Sequence, residues 1–507
     1  MFTALNKKEQ IRTRIAPSPT GTLHIGTARA ALFNFLFARH NKGEFFLRIE
    51  DTDEERSKPE FEQDIIDNLK WLGLEWDGKI LKQSQRKEIY TKYIKQLLDS
   101  GKAFWCYHTK EELEKEKQDQ QNRGEPQIHF CRNKNEQNSK LKIKNLKLTA
   151  VIRLKCPNKK IVFDDLIRGK IEFDSSLIGD IVIAKDKKSP LYNFAVVIDD
   201  YESKITHVVR GEDHISNTPK QIMISEALGL PLPQYAHMAL TLAPDKTKLS
   251  KRHGATSIQE YKEMGYLPEA MVNFMAFLGW NPGTEKEIFS LDELIKEFSI
   301  ERMQKSAAIF NIEKLNWFNA YYIKKAPLKK LTELCIPYLI QDKLIEPIWG
   351  QEMVAGQARF PFETMGYKIT SSEEPINFNY LQQIVKLEQE RLKKLSVIGE
   401  LAKFFFEEPK YDKELLRWKD MANEEIKANI DKLYNILFKI KEKNFTDQKL
   451  KDILMPIAEE TGDRGKLLWP LRAALSGLRA SPGPFELMAA MGKEKALRRL
   501  KTAYNKL

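Results

Sequence analysis

The sequence predicts a multidomain chain, α/β in its first half and helical in its second. Three observations carry that prediction. Strand-like and helix-like apolar patterns alternate from residue 10 to about 100. A turn segment, Pro17-Ser-Pro-Thr-Gly-Thr-Leu-His-Ile-Gly-Thr27, stands where the first strand gives way to a helix. Beyond about residue 256 the pattern is almost wholly helical. At 507 residues the chain exceeds what one hydrophobic core serves, so three or more domains are expected.

Ile11 to Ile15 reads as the first strand, and Ala30, Leu32, Phe33 and Phe37 follow at helical spacing. His24 and Gly26 therefore fall at the turn between them. A helix N-terminus offers free backbone N–H groups and a positive dipole end, both attractive to phosphate. Gly26 lets a nucleotide approach the backbone closely, and His24 can donate to a phosphate oxygen. Phe45 to Ile49 reads as a second strand; Phe61, Ile65, Leu69 and Leu72 repeat as a second helix. Such a β-α-β-α start argues for a parallel sheet, although no G-x-G-x-x-G is present. From Thr109 to Lys147 the chain is rich in Lys, Glu, Gln and Asn, a solvated helix and loop when read alone. Strand-like runs follow at 150–154, 161–164 and 180–184, then apolar runs at 194–198 and 205–209. Lys248-Leu-Ser-Lys-Arg252 lies between Ala243-Pro-Asp-Lys-Thr and His253-Gly254, the setting of a mobile loop. Its Lys248 and Lys251 can neutralise the charge that develops as a polyphosphate leaves. Together the two segments describe a pocket for a nucleoside triphosphate. The last stretch, 493–506, is a basic amphipathic helix candidate.

The composition bounds the function. A net charge of +12 suggests a polyanionic partner. The longest apolar stretch, near Met271 to Trp280, is about half a membrane-spanning helix, and no signal peptide is visible. Four cysteines in so long a chain form no disulfide framework, so a cytoplasmic setting is expected.

The paired segments resemble the HIGH and KMSKS motifs of class I aminoacyl-tRNA synthetases. With Arg14-Ile-Ala-Pro-Ser-Pro-Thr-Gly21, Arg48-Ile-Glu-Asp-Thr-Asp53 and Val209-Arg-Gly-Glu-Asp213, the chain resembles the bacterial glutamyl-tRNA synthetases over nearly all its length. Thr27 fits that family's His-x-Gly-Thr variant. The resemblance implies a Rossmann-type class I synthetase catalytic domain (1–105 and 191–255), split by an acceptor-end-binding insertion (106–190). A helical stem-contact domain (256–325) and a helical anticodon-binding region of two subdomains (326–507) would follow. It implies a monomer that takes ATP with Mg²⁺, L-glutamate and tRNA-Glu.

By this resemblance the catalytic and ATP-binding residues are His24, Gly26, Thr27, Lys248, Ser250 and Lys251. Arg14, Ala16, Ser18, Glu50, Tyr192 and Arg210 match the glutamate pocket, with Arg210 the main reader of the side-chain carboxylate. The residue types suit the substrate. An ammonium group needs an acid, and a carboxylate is matched bidentately by a guanidinium. Arg14, Glu50 and Arg210 each end a predicted strand, where ligands of open parallel sheets bind. The plain alternative for Arg210 is an ion pair with Glu212 or Asp213. Val196 stands where some relatives carry an asparagine, so that contact is absent. Asp51 and Asp53 read as caps rather than metal-linked acids. Arg472 and Arg479 are candidates for tRNA contact, against surface salt bridges. Cys106, His108 and Cys131 invite a zinc reading; Asn133 stands where a second ligand pair would close, with His129 as a possible substitute, and the reading favours no zinc. Three rivals are weighed. A glutaminyl-tRNA synthetase would end in β-barrels, a shortened paralogue would lack the C-terminal region, and an inactive tRNA-binding paralogue would have lost His24, Gly26, Glu50 or Lys251.

Overall fold

The alternation at the start of the chain folds, in the computed structural model, as a parallel β-α-β unit. Strand β1 (Arg12–Ile15) runs beside β2 (Glu44–Ile49), with Arg14 opposite Phe46. Helix α1 (Ile25–His40) crosses between them, and every residue from Ala28 to Ala38 is buried. A helix covered on all sides must satisfy any polar side chain it carries. Asn34 does so through its amide nitrogen: Nδ2 donates to Ala30 O at 2.8 Å and to Val209 O at 2.9 Å, its backbone carbonyl accepts from Thr13 Oγ1, and Oδ1 has no hydrogen-bond partner among the described residues. The structure describes residues 10–53, 55–131, 134, 150–348, 362 and 365–507. They form two compact units, Met1–Lys262 with Pro268–Leu315, and Glu263–Leu267 with Asn316–Leu507.

In the first unit, α2 (Pro59–Trp71) begins on a helix-compatible proline and buries Ile65 and Leu69. Strand β3 (Leu81–Lys82) extends the sheet parallel to β2, followed by α3 (Lys87–Asp99) and β4 (Ala103–Cys106). Helix α4 (Lys110–Asn122) starts in a Thr109–Glu112 capping box and buries no side chain, as its polar composition dictates. After it come β5 (Val151–Leu154), β6 (Lys160–Asp165), β7 (Gly169–Asp174) and β8 (Val182–Ala184). The order β4-β5-β8 is an antiparallel sheet.

The run 194–198 is the buried side of a helix, α5 (Tyr192–Glu202). Strand β9 (His207–Gly211), α6 (Thr218–Leu228) and β10 (Gln234–Met238) complete the region. A second sheet has the order β7-β6-β10-β9, so the β6–β7 hairpin lies directly against β10. The N–H of Thr206 donates to Arg12 O at 3.0 Å, which brings β9 alongside β1.

The second unit is mostly helical, with one departure from the sequence pattern. Ile345–Ile348, Gly366–Ile369 and Pro375–Ile376 form a small antiparallel sheet. These segments are too short and too polar to show a strand period above the helical background. The final helix, Lys493–Lys506, buries Ala496, Leu500 and Ala503 along one side. Arg499 is buried among them, and its guanidinium donates to the carbonyls of Phe404, Glu407 and Leu475. Those are carbonyls at the C-terminal ends of helices Ile398–Phe406 and Gly465–Ser476, which lack partners within their own helices. Among the described residues, no helix is long and apolar enough to cross a membrane.

Candidate active site

The C-terminal ends of β1, β2, β9 and β10 surround a cavity of about 400 Å³. One end is the turn into α1. His24 is the N-cap residue, and its Nδ1 accepts from the Gly26 N–H at 3.0 Å. That bond leaves the ring proton on Nε2, the nitrogen free to donate. Burial, and then the nearby charge of Lys248, lower the His24 pKa, which keeps the ring neutral at pH 7. A Cβ on Gly26 would stand 3.2 Å from His24 Nδ1, so the glycine also makes room for the imidazole. The turn is held by Ile25 N–H donating to Thr256 O and Ile258 N–H donating to Leu23 O. Thr27 lines the cavity as well.

The lysine loop is internally braced. Asp245 accepts from the N–H and hydroxyl of Thr247 and pairs with His253 Nε2 at 3.2 Å. Hydrogen bonds from Thr247, chiefly, hold the exposed Asp245 carboxyl at about 2. Lys248 lines the cavity, with Nζ 3.8 Å from Asp213. Ser250 does not line it; its hydroxyl lies 3.2 Å from His253 Nδ1. Lys251 opens the short turn Lys251–His253, and its side chain lies outside the described residues.

Arg14, Ala16, Ser18, Glu50, Tyr192 and Arg210 line the same cavity. Its charged floor rests on an acid that no motif singled out. Asp200, on α5, accepts two hydrogen bonds from Arg14 at 3.0 and 3.1 Å and one from Arg48 at 2.5 Å. Arg48 also donates to Glu50 at 3.0 Å. Burial alone would raise the Asp200 carboxyl, yet the two guanidiniums hold it at about 2. Glu50 shifts the other way: burial raises it, and Arg48 offsets that only in part. Asp199 next door accepts from Arg86, Gln83 and Tyr90, a second satisfied buried acid. Asp51 accepts from the N–H and hydroxyl of Ser84, and Asp53 pairs with Arg56. Asp51 thus caps the turn that starts at Gln83, and Asp53 is spent within its own turn. Arg29, also in the cavity wall, donates through Nη1 to Ala239 O at 2.8 Å, while its Nε and Nη2 have no hydrogen-bond partner among the described residues.

Arg210 is a buried cation in the cavity wall. It is 7% exposed, and burial lowers its pKa. Its Nε donates to His237 Nε2 at 3.2 Å and its Nη2 to Thr218 Oγ1 at 2.8 Å, and its guanidinium lies over the Tyr235 ring. The alternative of an ion pair with Glu212 or Asp213 does not hold. Glu212 is bound by Arg168, and Asp213 faces Lys248. Among the described residues no acid pairs with Arg210, so a buried cation faces the cavity without a counter-ion. That arrangement is costly unless an anion arrives.

Residues 10–317 match the family described as class I tRNA synthetases (E and Q), catalytic domain, and residues 330–504 match an anticodon binding domain. A glutamate–tRNA ligase of Caldanaerobacter subterraneus is 42% identical over 498 residues, 97% of each chain. One from Caldicellulosiruptor saccharolyticus is 43% identical over 517 residues, covering 98% of this chain and 100% of that one. The chain belongs to the glutamate–tRNA ligase family. The crystal structure of a glutamate tRNA ligase from Elizabethkingia meningosepticum, in complex with its amino acid, superposes with a TM-score of 0.81 at 31% identity. It covers 98% of this chain and 100% of that one.

Two further groups of predicted site residues lie outside the cavity. In the anticodon-binding region, Arg472 stacks over Trp469 at 4.7 Å and donates to the carbonyl of Arg479 at 2.8 Å. Neither Arg472 nor Arg479 makes an ion pair among the described residues. Arg391, anchored on Glu388, donates to Ala480 O in the same loop. The other group is the cysteine–histidine set. Asn133 lies outside the described residues, while His129, the possible substitute for a ligand at that position, lies beside the other three candidates. The ligand atoms of Cys106, His108, His129 and Cys131 all lie within 4.8 Å of one another. Cys106 Sγ is 3.4 Å from His108 Nδ1 and 3.7 Å from His129 Nε2, and Cys131 Sγ is 3.6 Å from His108 Nδ1. Tetrahedral zinc, with bonds of about 2.3 Å to sulfur and about 2.0–2.1 Å to nitrogen, sets sulfur–nitrogen distances near ~3.6 Å. The far nitrogen of His129 contacts Glu116 at 2.5 Å, the outer carboxylate typical of metal-bound imidazoles.

Proposed function

We infer that this chain activates L-glutamate with ATP and transfers it to the 3′ end of tRNA-Glu. The observation that carries the reading is the unpaired, buried Arg210 in the same cavity as His24 and Lys248. Arg210 takes the side-chain carboxylate of glutamate, and Glu50 takes its ammonium group. Arg14, locked on Asp200, keeps the pocket positive beside Glu50. The α-carboxylate, already ionised, attacks the α-phosphorus of ATP. The bond from that phosphorus to the bridging oxygen breaks, and pyrophosphate leaves. No general base is required, so catalysis is positioning and charge stabilisation. His24 Nε2–H, Lys248 and Lys251 stabilise the phosphates, with Mg²⁺ as the phosphate counter-ion. A terminal ribose hydroxyl of the tRNA then attacks the activated carbonyl, and AMP leaves. Arg472 and Arg479 contribute tRNA contacts on the anticodon side. We take the enzyme to act as a cytoplasmic monomer. Incubated with ATP and tRNA-Glu, the purified chain is expected to attach glutamate and to leave glutamine at background. Parallel reactions with tRNA-Gln reveal whether it charges that tRNA too.

The Cys106–His108–His129–Cys131 group is proposed to hold one structural zinc, closed by four protein ligands. All four sit at the edge of β4 and the segment after α4, a region with few apolar anchors, where a metal supplies the missing cross-link. Elemental analysis should find one zinc per chain, and Cys131→Ser should remove it and lower the melting temperature. Chain purified from zinc-supplemented medium with less than a tenth of an equivalent would refute this.

A further inference from the structure

Arg210 is buried, and before substrate arrives it has no carboxylate to orient it. Its direction is set instead by a short chain of side chains. Nε donates to His237 Nε2 at 3.2 Å. Across the ring, His237 Nδ1 contacts Asp165 Oδ2 at 2.6 Å. His237 is fully buried and Asp165 is 3% exposed. Asp165 is itself held: it accepts from the N–H groups of His237, Ile167 and Arg168. These bonds allow one tautomer. Nδ1 carries the proton toward Asp165, and Nε2 presents a lone pair to the Arg210 Nε–H. Thr218 Oγ1 accepts from Nη2 and lies 3.0 Å from His237 Nε2, bracing the same edge. Two of the three guanidinium nitrogens are thus held from the protein side, and Nη1 has no protein partner among the described residues.

The two outer members come from separate places. His237 lies on β10, and Asp165 is the last residue of β6, beside Tyr235 in the parallel register. We propose that Asp165 and His237 are positioning residues for glutamate specificity, acting through Arg210. A flexible guanidinium would pair with a carboxylate but would also swing to accommodate a side-chain amide. A fixed one offers donors only, in one plane, and penalises the N–H₂ of glutamine. The proposal rests on Arg210 reading the side-chain carboxylate.

The test compares His237→Leu, His237→Gln and Asp165→Asn in tRNA-dependent ATP–pyrophosphate exchange, with Arg210→Gln as control. His237→Leu and Asp165→Asn should raise KM for glutamate at least tenfold, leave KM for ATP within twofold, and narrow the glutamate-to-glutamine ratio of kcat/KM by tenfold or more. His237→Gln, whose amide oxygen can accept from the Arg210 Nε–H, should recover most of that ratio. If His237→Leu fails to fold, Asp165→Asn and the glutamine variant carry the comparison. An unchanged ratio in Asp165→Asn, or parallel changes in both KM values, overturns the proposal. If Arg210→Gln also leaves the ratio unchanged, the reading of Arg210 fails rather than this inference alone.

Discussion

Replacing Arg210 by glutamine is expected to cost about 2–5 kcal/mol of glutamate binding in the activation step, roughly 30- to several-thousand-fold in kcat/KM. The size follows from what is left behind. The substrate carboxylate would enter a site from which a buried, acid-free guanidinium has gone. Asp200 cannot release Arg14 to replace it, since Arg14 is already bound through two nitrogens. Discrimination against glutamine should collapse together with glutamate activation, because an amide accepts and donates to either substrate. ATP affinity should change little if Arg210 reads the amino acid, as proposed. Glutamate and glutamine titrations in pyrophosphate exchange measure both quantities. Near-wild-type glutamate kinetics would show that the side-chain carboxylate lies elsewhere.

The second large effect is expected at Lys251. Lys251→Ala should lower the rate of adenylate formation about 10²- to 10³-fold, the usual loss for one donor aimed at developing charge. The loop that carries it is braced by contacts among Asp245, Thr247 and His253. The substitution therefore removes a charge without dismantling its support. Glutamate KM should stay within about twofold, since the residue acts on phosphate. A tenfold rise in glutamate KM with unchanged turnover at saturation would rule out the phosphate role.

Much of this was legible from the chain because local physics wrote it locally. A strand, a turn with His24 and Gly26, and a buried helix follow one another within thirty residues, and each element has its own period. Arg14, Glu50 and Arg210 were expected at strand ends, and each lies within a residue of one. What escaped was whatever depends on sheet order. Arg14 and Arg48 meet Asp200 across 186 and 152 residues. Asp165 meets His237 across 72, only because β6 inserts beside β10. Nothing in the neighbourhood of Asp200 or His237 marks it as part of a site. A buried acid in an apolar helix was the one available sign, since such a group requires a partner.

The central claim is that one cavity joins glutamate to ATP and passes the product to tRNA. Its most direct measurement is charging of tRNA-Glu by the unaltered chain, with labelled glutamate and labelled glutamine offered separately. The account predicts ATP-dependent glutamyl-tRNA and a glutamine signal indistinguishable from the reaction without ATP. Efficient glutaminyl-tRNA formation, or no glutamyl-tRNA from folded, ATP-binding protein, would contradict it.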